Sequence, residues 1–262
     1  MSIYERITLV LHISYDYLTD NILEQILQLK SWDGPITLVI AIPSADVYNK
    51  IRGIKEMLLR FPPYVLHKLS AHVLFQSNMG CNNDIIDKLS GANIEWRYPV
   101  NVARNVARMF VRSKYVLIGD SEFVFPKGFE SRMRALAQNQ LTRDPKTVLV
   151  VRIFEVNETI KEMPRNKKEL RELFFKGLAV EFHARYNVVA HAIPHLDQWF
   201  NKQENEEINV NSIIKFSERG WEPQFVSLNT IPFHDENFPF SLRDNTVLTS
   251  QLRSQSVDRF MS

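Results

Sequence analysis

The chain has 262 residues, 45% hydrophobic and 24% charged, with a formal net charge of +2 at pH 7. That balance is ordinary for a globular protein and long enough for a substantial core. It argues against a nucleic-acid binder and against an acidic-surface role. The single cysteine, Cys81, excludes an intrachain disulfide and a zinc site built on several cysteines; it reads as a small residue in a Gly-Cys-Asn-Asn turn.

Ile7 to Ile13 (ITLVLHI) is aliphatic and β-branched without polar alternation, which predicts a strand covered on both faces. MSIYE precedes it with no signal-like pattern, and no apolar run approaches the roughly 20 residues that span a bilayer. Leu18 to Leu29 has helical apolar spacing, and Asp33-Gly34-Pro35 predicts a turn. Ile36 to Ile42 (ITLVIAI) is a second buried strand. Ser44 is placed to cap a helix over 45–60, ended by Pro62-Pro63. Ala71 to Phe75 is a third strand, Val102 to Val111 a helix opened by Asn101, and Tyr115 to Ile118 a fourth strand. A helix over 127–138 and a strand over Thr147 to Ile153 follow. The alternation predicts an α/β fold with a mostly parallel sheet flanked by helices, in one domain. The charged stretches 157–172 and 201–207 read as solvated surface. From Gly220 the chain reads as irregular but packed, the kind of region that shapes a cleft.

Ligands of open parallel sheets bind beyond the carboxyl ends of the strands. In KYVLIGDSEFVFP, Asp120 and Glu122 lie at such an end, with Ser121 between them. Two carboxylates at i and i+2 suit a hard cation such as Mn²⁺ or Mg²⁺, able to clamp a diphosphate, with Phe123 and Phe125 keeping water out. The alternative is a solvated acidic turn. In YPVNVARNVA, Asn101, Arg104 and Asn105 can present donors to an anionic ligand at a helix start, or be a cap with a surface arginine. There is no G-x-G-x-x-G, P-loop or G-x-S-x-G pattern. His191 and His195 are four apart, but Pro194 disfavours the helix a zinc pair needs, so they read as ordinary histidines.

YPVNVARNVARMFVRSKYVLIGDSEFVFPKGF resembles the core of glycosyltransferase family 49, the LARGE-type and glucuronyltransferase-like family that acts on dystroglycan and has many nematode members. RNKKELRELFFKG, HAIPHLDQWF and WEPQFVSLNTIPFHDENF resemble its later segments, and the likeness runs to about residue 248. The resemblance implies a GT-A fold, a UDP-sugar donor (of glucuronic acid or N-acetylglucosamine), a glycan or glycoprotein acceptor, Mn²⁺ or Mg²⁺, inversion, and a Golgi setting. It places Asp120 and Glu122 at the metal as a DXD-like motif, with Glu replacing the second Asp. Asp120, Ser121, Asn101, Arg104 and Asn105 would lie at the donor, and His12 and Ser14 beside its base or ribose. Asp235 or Glu236 would be the general base, unless the pair only caps a loop. Residues 1–248 read as the glycosyltransferase domain, shortened at its C-terminus, and 249–262 as a divergent polar tail without an apolar face. The alternative function is a truncated, non-catalytic relative that binds a glycan, a nucleotide or a partner.

Overall fold

The computed structural model describes residues 2–18, 28–43, 46–75, 98–204, 207–214, 221–238, 244–254 and 259–261. The readings on Cys81, on Ser44 and on most of the helix over 18–29 fall outside them.

The two aliphatic runs form the centre of the sheet. β1 (Ile7–Ser14) and β2 (Ile36–Ile42) are buried at every position, which is what a strand covered on both faces requires. β3 (Leu69–Phe75) pairs parallel with β2, and β4 (Tyr115–Ile118) pairs parallel with β1 on its other side. β5 (Thr147–Val151) stops short of Ile153, because β6 (Phe154–Val156) leaves the main sheet to pair with β7 (Ala179–Glu181). With β8 (Ile213–Ile214), β9 (Gln224–Leu228) and β10 (Arg259–Met261), the sheet has the order β3-β2-β1-β4-β9-β5-β10-β8. It is mixed and mostly parallel, within one α/β domain.

Helices flank the sheet: α1 (Val47–Leu59), α2 (Val100–Met109), α3 (Phe129–Arg143), α4 (Lys167–Phe175), α5 (Leu196–Asn201) and α6 (Asp244–Ser254). α2 starts at Val100 after Pro99, so Asn101 lies inside its first turn and is not the cap. Its Ala103 and Ala107 allow a close approach to Val10, Val39 and Val116 on one face of the sheet. The opposite face, with Ile7, Leu9, Leu11, Leu38, Ile40 and Leu117, joins α3 through Met133, Ala137 and Leu141 in the main core. Each of the Ile, Leu and Met side chains contributes about 1.5–3 kcal/mol by leaving water.

The turn at Asp33-Gly34-Pro35 also closes the core. A side chain at Gly34 would lie 2.7 Å from Glu130 Cγ and 2.8 Å from the Ile7 carbonyl oxygen, so only glycine fits.

Two expectations are corrected. The segment after Gly220 contains a regular strand, β9, inserted antiparallel between β4 and β5. Buried Gln224 and Ser227 break its apolar pattern. The closing stretch is not a polar tail without an apolar face. α6 buries Leu248, Thr249 and Leu252, and Phe260 packs at 5.1 Å from Trp221 in a core cluster with Val148 and Val150. Leu248 and Leu252 make an i, i+4 stripe only one side chain wide, too narrow to stand out in a polar sequence.

Candidate active site

Strand register builds the site. β1 and β4 are paired so that Val10 lies beside Ile118, and the Gly119 N–H donates to the Val10 carbonyl at 3.0 Å. Two residues on, on the α2 side, come His12 and Asp120. Arg104 reaches them from α2, its Nη2 donating to Asp120 Oδ1 at 3.2 Å and its Nε lying 3.1 Å from His12 Nε2. Its Nη1 reaches Asn101 Oδ1 at 3.4 Å. His12 Nε2 also lies 3.4 Å from Asp120 Oδ1, and its Nδ1 lies 2.5 Å from the Tyr98 hydroxyl. Tyr98 belongs to the quoted YPVN stretch but was not among the expected site residues; no sequence spacing links it to His12, which is 86 residues away.

Burial alone would raise the Asp120 carboxyl. The hydrogen bond and charge of His12, with the charge and hydrogen bond of Arg104, outweigh it and hold the carboxyl well below the usual range. Asp120 is therefore ionised at neutral pH. Its side chain keeps 28% exposure, against 6% for Arg104. Burial raises the Tyr98 phenol; Arg104 opposes this, while Asp120 and Glu122 add to it, so Glu122 is within electrostatic reach of the network. Glu122 is exposed, and Ser121 Oγ donates to its Oε2 at 3.4 Å. Phe123 and Phe125 are buried beneath the turn.

The acid turn can hold a divalent cation only in part. Small hard cations take one or two carboxylates and fill the remaining positions with water and substrate phosphate. Asp120 and Glu122 match that donor set. Among the described residues no three His, Cys, Asp or Glu side chains gather into a fuller cage.

The structure places the other expected residues as follows. Ser14 is buried at the end of β1, and its Oγ accepts from the Asp16 N–H at 3.4 Å. Asn101, Asn105 and Arg108 form one polar stripe along α2 that holds an ascending segment. Arg108 donates to the carbonyls of Asn229, Ile231 and Pro232. Asn105 donates to the His234 carbonyl at 2.9 Å and to Glu236 Oε1 at 2.8 Å, and Asn101 to the Asp235 carbonyl at 2.9 Å. The two asparagine amides thus bind protein carbonyls and a carboxylate, and Arg104 is the one that faces Asp120. The Asp235 carboxylate accepts from the Asn237 N–H at 2.9 Å, a capped turn, and both Asp235 and Glu236 are exposed at the rim. His234 is 3% exposed, and its Nε2 lies 3.2 Å from Asn245 Oδ1. Burial, then the nearby Arg104 charge, lowers its pKa to about 3.

The histidines set aside in the sequence do not share a helix. His195 has φ 66 and precedes α5, while His191 lies on the preceding turn, within electrostatic reach of Asp120.

A mostly parallel sheet with an acid turn at the carboxyl end of β4 fits the glycosyltransferase class that the sequence resemblance implies. The chain belongs to the family described as glycosyl-transferase for dystroglycan, whose model matches residues 6–253. The match passes Leu248, so the likeness extends into α6. Among similar proteins, mouse (Mus musculus) beta-1,4-glucuronyltransferase 1 is 24% identical over 246 residues, covering 84% of this chain and 58% of that protein. The Danio rerio protein of that name is 27% identical over 243 residues, covering 80% and 54%. Human (Homo sapiens) xylosyl- and glucuronyltransferase LARGE1 is 23% identical over 235 residues, covering 88% and 27%. The chain thus spans about half the length of the glucuronyltransferases it matches. A crystal structure of S. aureus TarS 1–349 aligns with a TM-score of 0.47 and 11% identity, covering 98% of this chain and 57% of that one. Among the described residues no helix is long and apolar enough to cross a membrane.

Proposed function

We propose that the chain transfers a sugar, glucuronic acid or N-acetylglucosamine, from a UDP donor to a glycan or glycoprotein acceptor, with inversion at the anomeric carbon. The observation that carries this reading is Asp120, an ionised carboxylate fixed at a strand's carboxyl end by Arg104 and His12 with Glu122 beside it. The names of the similar glucuronyltransferases support glucuronate as the first donor to try.

In this reading Asp120 and Glu122, with Ser121 between them, would hold Mn²⁺ or Mg²⁺, which when bound neutralises charge on the departing diphosphate. Arg104 and His12 fix the Asp120 carboxylate, and Arg104 adds a cation on the phosphate side. His12 and Ser14, at the end of β1, border the nucleoside. Asn101 and Asn105 keep the segment 234–236 against α2, and so set where the rim carboxylates stand. Glu236 or Asp235 accepts the proton of the acceptor hydroxyl as that oxygen bonds to the anomeric carbon. The electron pair of the broken bond leaves with UDP. The proposal includes the Golgi setting that the resemblance implies.

A second reading, nucleotide or glycan binding without transfer, is favoured by one observation. Asp120 Oδ1 is already engaged by both Arg104 and His12, and no third ligating group stands nearby among the described residues. Calorimetric titration of UDP separates the two. Binding with Mn²⁺ that disappears in EDTA is expected. Binding indifferent to EDTA would favour the second reading, and no binding by a folded chain would remove the donor site altogether.

A further inference from the structure

The acid turn has two flanks. α2 covers the one with Val10 and Val116. On the other, Phe123 joins Leu9 and Leu117 in the main core and meets Phe182 edge to face at 5.2 Å. Phe182 follows β7 directly. Its ring stacks on His183 at 3.9 Å and meets His191 at 4.8 Å, and the two imidazoles are 5.1 Å apart. This aromatic group is joined to the acid turn and is not used by any step described above.

Several features set it apart from ordinary packing. His183 has φ 58, a left-handed conformation that costs a side-chain-bearing residue energy, and its N–H is held by Glu155 Oε1 at 3.0 Å. His191 Nδ1 is buried with no hydrogen-bond partner. Burial, then the neighbouring His183, lowers the His191 pKa to about 4, against the opposing effects of the Glu222 backbone, Asp120 and Glu155. The ring is therefore neutral at neutral pH, with one N–H and one lone pair. The bond to the Glu222 backbone favours the proton on Nε2, which leaves the lone pair on the unpartnered Nδ1. Next to it, Tyr186 meets His183 edge to face at 6.4 Å and is 87% exposed.

We propose that His191, His183 and Tyr186 form the subsite for the acceptor saccharide, with His191 Nδ1 accepting a hydrogen bond from a sugar hydroxyl other than the one that reacts. The proposal rests on the donor reading of Asp120. A neutral sugar ring needs an apolar face and a few placed polar groups. The exposed Tyr186 ring offers the first, and the orphaned imidazole nitrogen one of the second. His183, partly buried, packs 5.1 Å from the His191 ring, so in this proposal a sugar reaching the buried Nδ1 moves it aside.

The test uses the whole chain, with methyl β-xyloside as the saccharide probe. Xyloside binding is followed by saturation-transfer NMR without nucleotide, and UDP binding with Mn²⁺ by calorimetry. His191→Ala is expected to weaken the xyloside about fivefold, the loss of one hydrogen bond. His191→Asn, which keeps an acceptor oxygen close to the Nδ1 position, should hold it within about twofold. UDP affinity should be equal in all three proteins. No xyloside binding by the wild-type chain, or equal binding by His191→Ala, would overturn the subsite. Loss of UDP binding in His191→Ala alongside the xyloside would make His191 a donor residue and overturn it too. A wild-type chain that binds the xyloside through His191 but no UDP would sink the donor reading and keep the saccharide site. If the His191 variants melt early, Tyr186→Ala at the surface gives the same readout, with a loss of about threefold expected and none overturning the proposal.

Discussion

Strand β1 has an arginine–carboxylate pair at each end, and the two pairs enclose their carboxylates to different degrees. At the amino end Glu130 is 0% exposed. Arg6 Nε lies 2.9 and 3.0 Å from its two oxygens, Arg6 Nη2 lies 2.6 Å from Oε2, and the Ile7 N–H donates to Oε1 at 2.9 Å. Asp33 completes this end by accepting from the Glu130 and Ser131 N–H groups, which cap α3 from a distant loop. At the carboxyl end Arg104 holds Asp120 by one contact to one oxygen at 3.2 Å, the carboxylate keeps 28% exposure, and the exposed Glu122 follows two residues on. The same residue types lock one end of the sheet and present a charge at the other. Enclosure decides which, and it follows from position: the amino end is sealed by Gly34 and α3, while the carboxyl end opens onto a turn.

The contrast can be broken most sharply at Glu130. Glu130→Ala strands Arg6 and the Ile7 N–H, and should cost about 3–5 kcal/mol in urea unfolding. UDP affinity of the folded fraction should be unchanged. A loss below about 1 kcal/mol would show that the amino-end pair does not lock the sheet. Asp120→Asn is the converse. It should cost less in urea unfolding than Glu130→Ala, because the amide oxygen can still accept from Arg104, but not nothing, because Arg104 and His12 hold the native carboxyl below its usual range. It should weaken Mn²⁺-dependent UDP binding by about 100-fold, measured by calorimetry. Unchanged binding would remove Asp120 from the site.

How much of this contrast could be read from the sequence depends on the range of the contacts. ITLVLHI, ITLVIAI and YVLIGDSE carry their own local pattern, so the central strands and the acid turn at the end of β4 were legible. Glu130 was not: in FESRMRALAQ it looks like any solvated charge on a helix, and only the approach of Arg6 from 124 residues away encloses it. QFVSL hid β9 because Gln224 and Ser227, both buried in this central antiparallel strand, interrupt its apolar pattern. Asn101 and Asn105 looked like ligand donors because their spacing shows which face of α2 they share, but not that residues 234–236 climb that face. Arg104, one position off the stripe, turns instead toward Asp120 and His12.

A smaller effect should appear as acid sensitivity at the carboxyl end. His234 lies close enough to Arg104, Arg108 and His12 for their charges to act on it, and is buried neutral with a pKa lowered to about 3. Unfolded, the same ring titrates near 6.5. Between those values the unfolded chain binds the extra proton. The stabilisation is therefore complete above about pH 6.5 and falls as pH drops toward 3, by about 1.4 kcal/mol per pH unit at most. Urea melts at pH 7 and pH 5 should show the drop. His234→Leu should flatten it, and an unaltered slope would assign the acid sensitivity to other groups.

The smallest expected effect tests whether the carboxyl-end pair presents its charge through geometry or through charge alone. Arg104 uses three nitrogens in one plane, toward His12, Asp120 and Asn101. Lysine keeps the charge but has no fork and cannot reach all three. Arg104→Lys should therefore weaken UDP about three- to tenfold, roughly 1 kcal/mol, and leave uridine unchanged, because only the diphosphate depends on a correctly aimed Asp120 and the adjacent cation. Equal losses for UDP and uridine would mean that Arg104 serves mainly to pack α2 against β1. The two ends of the strand would then differ in exposure but not in purpose.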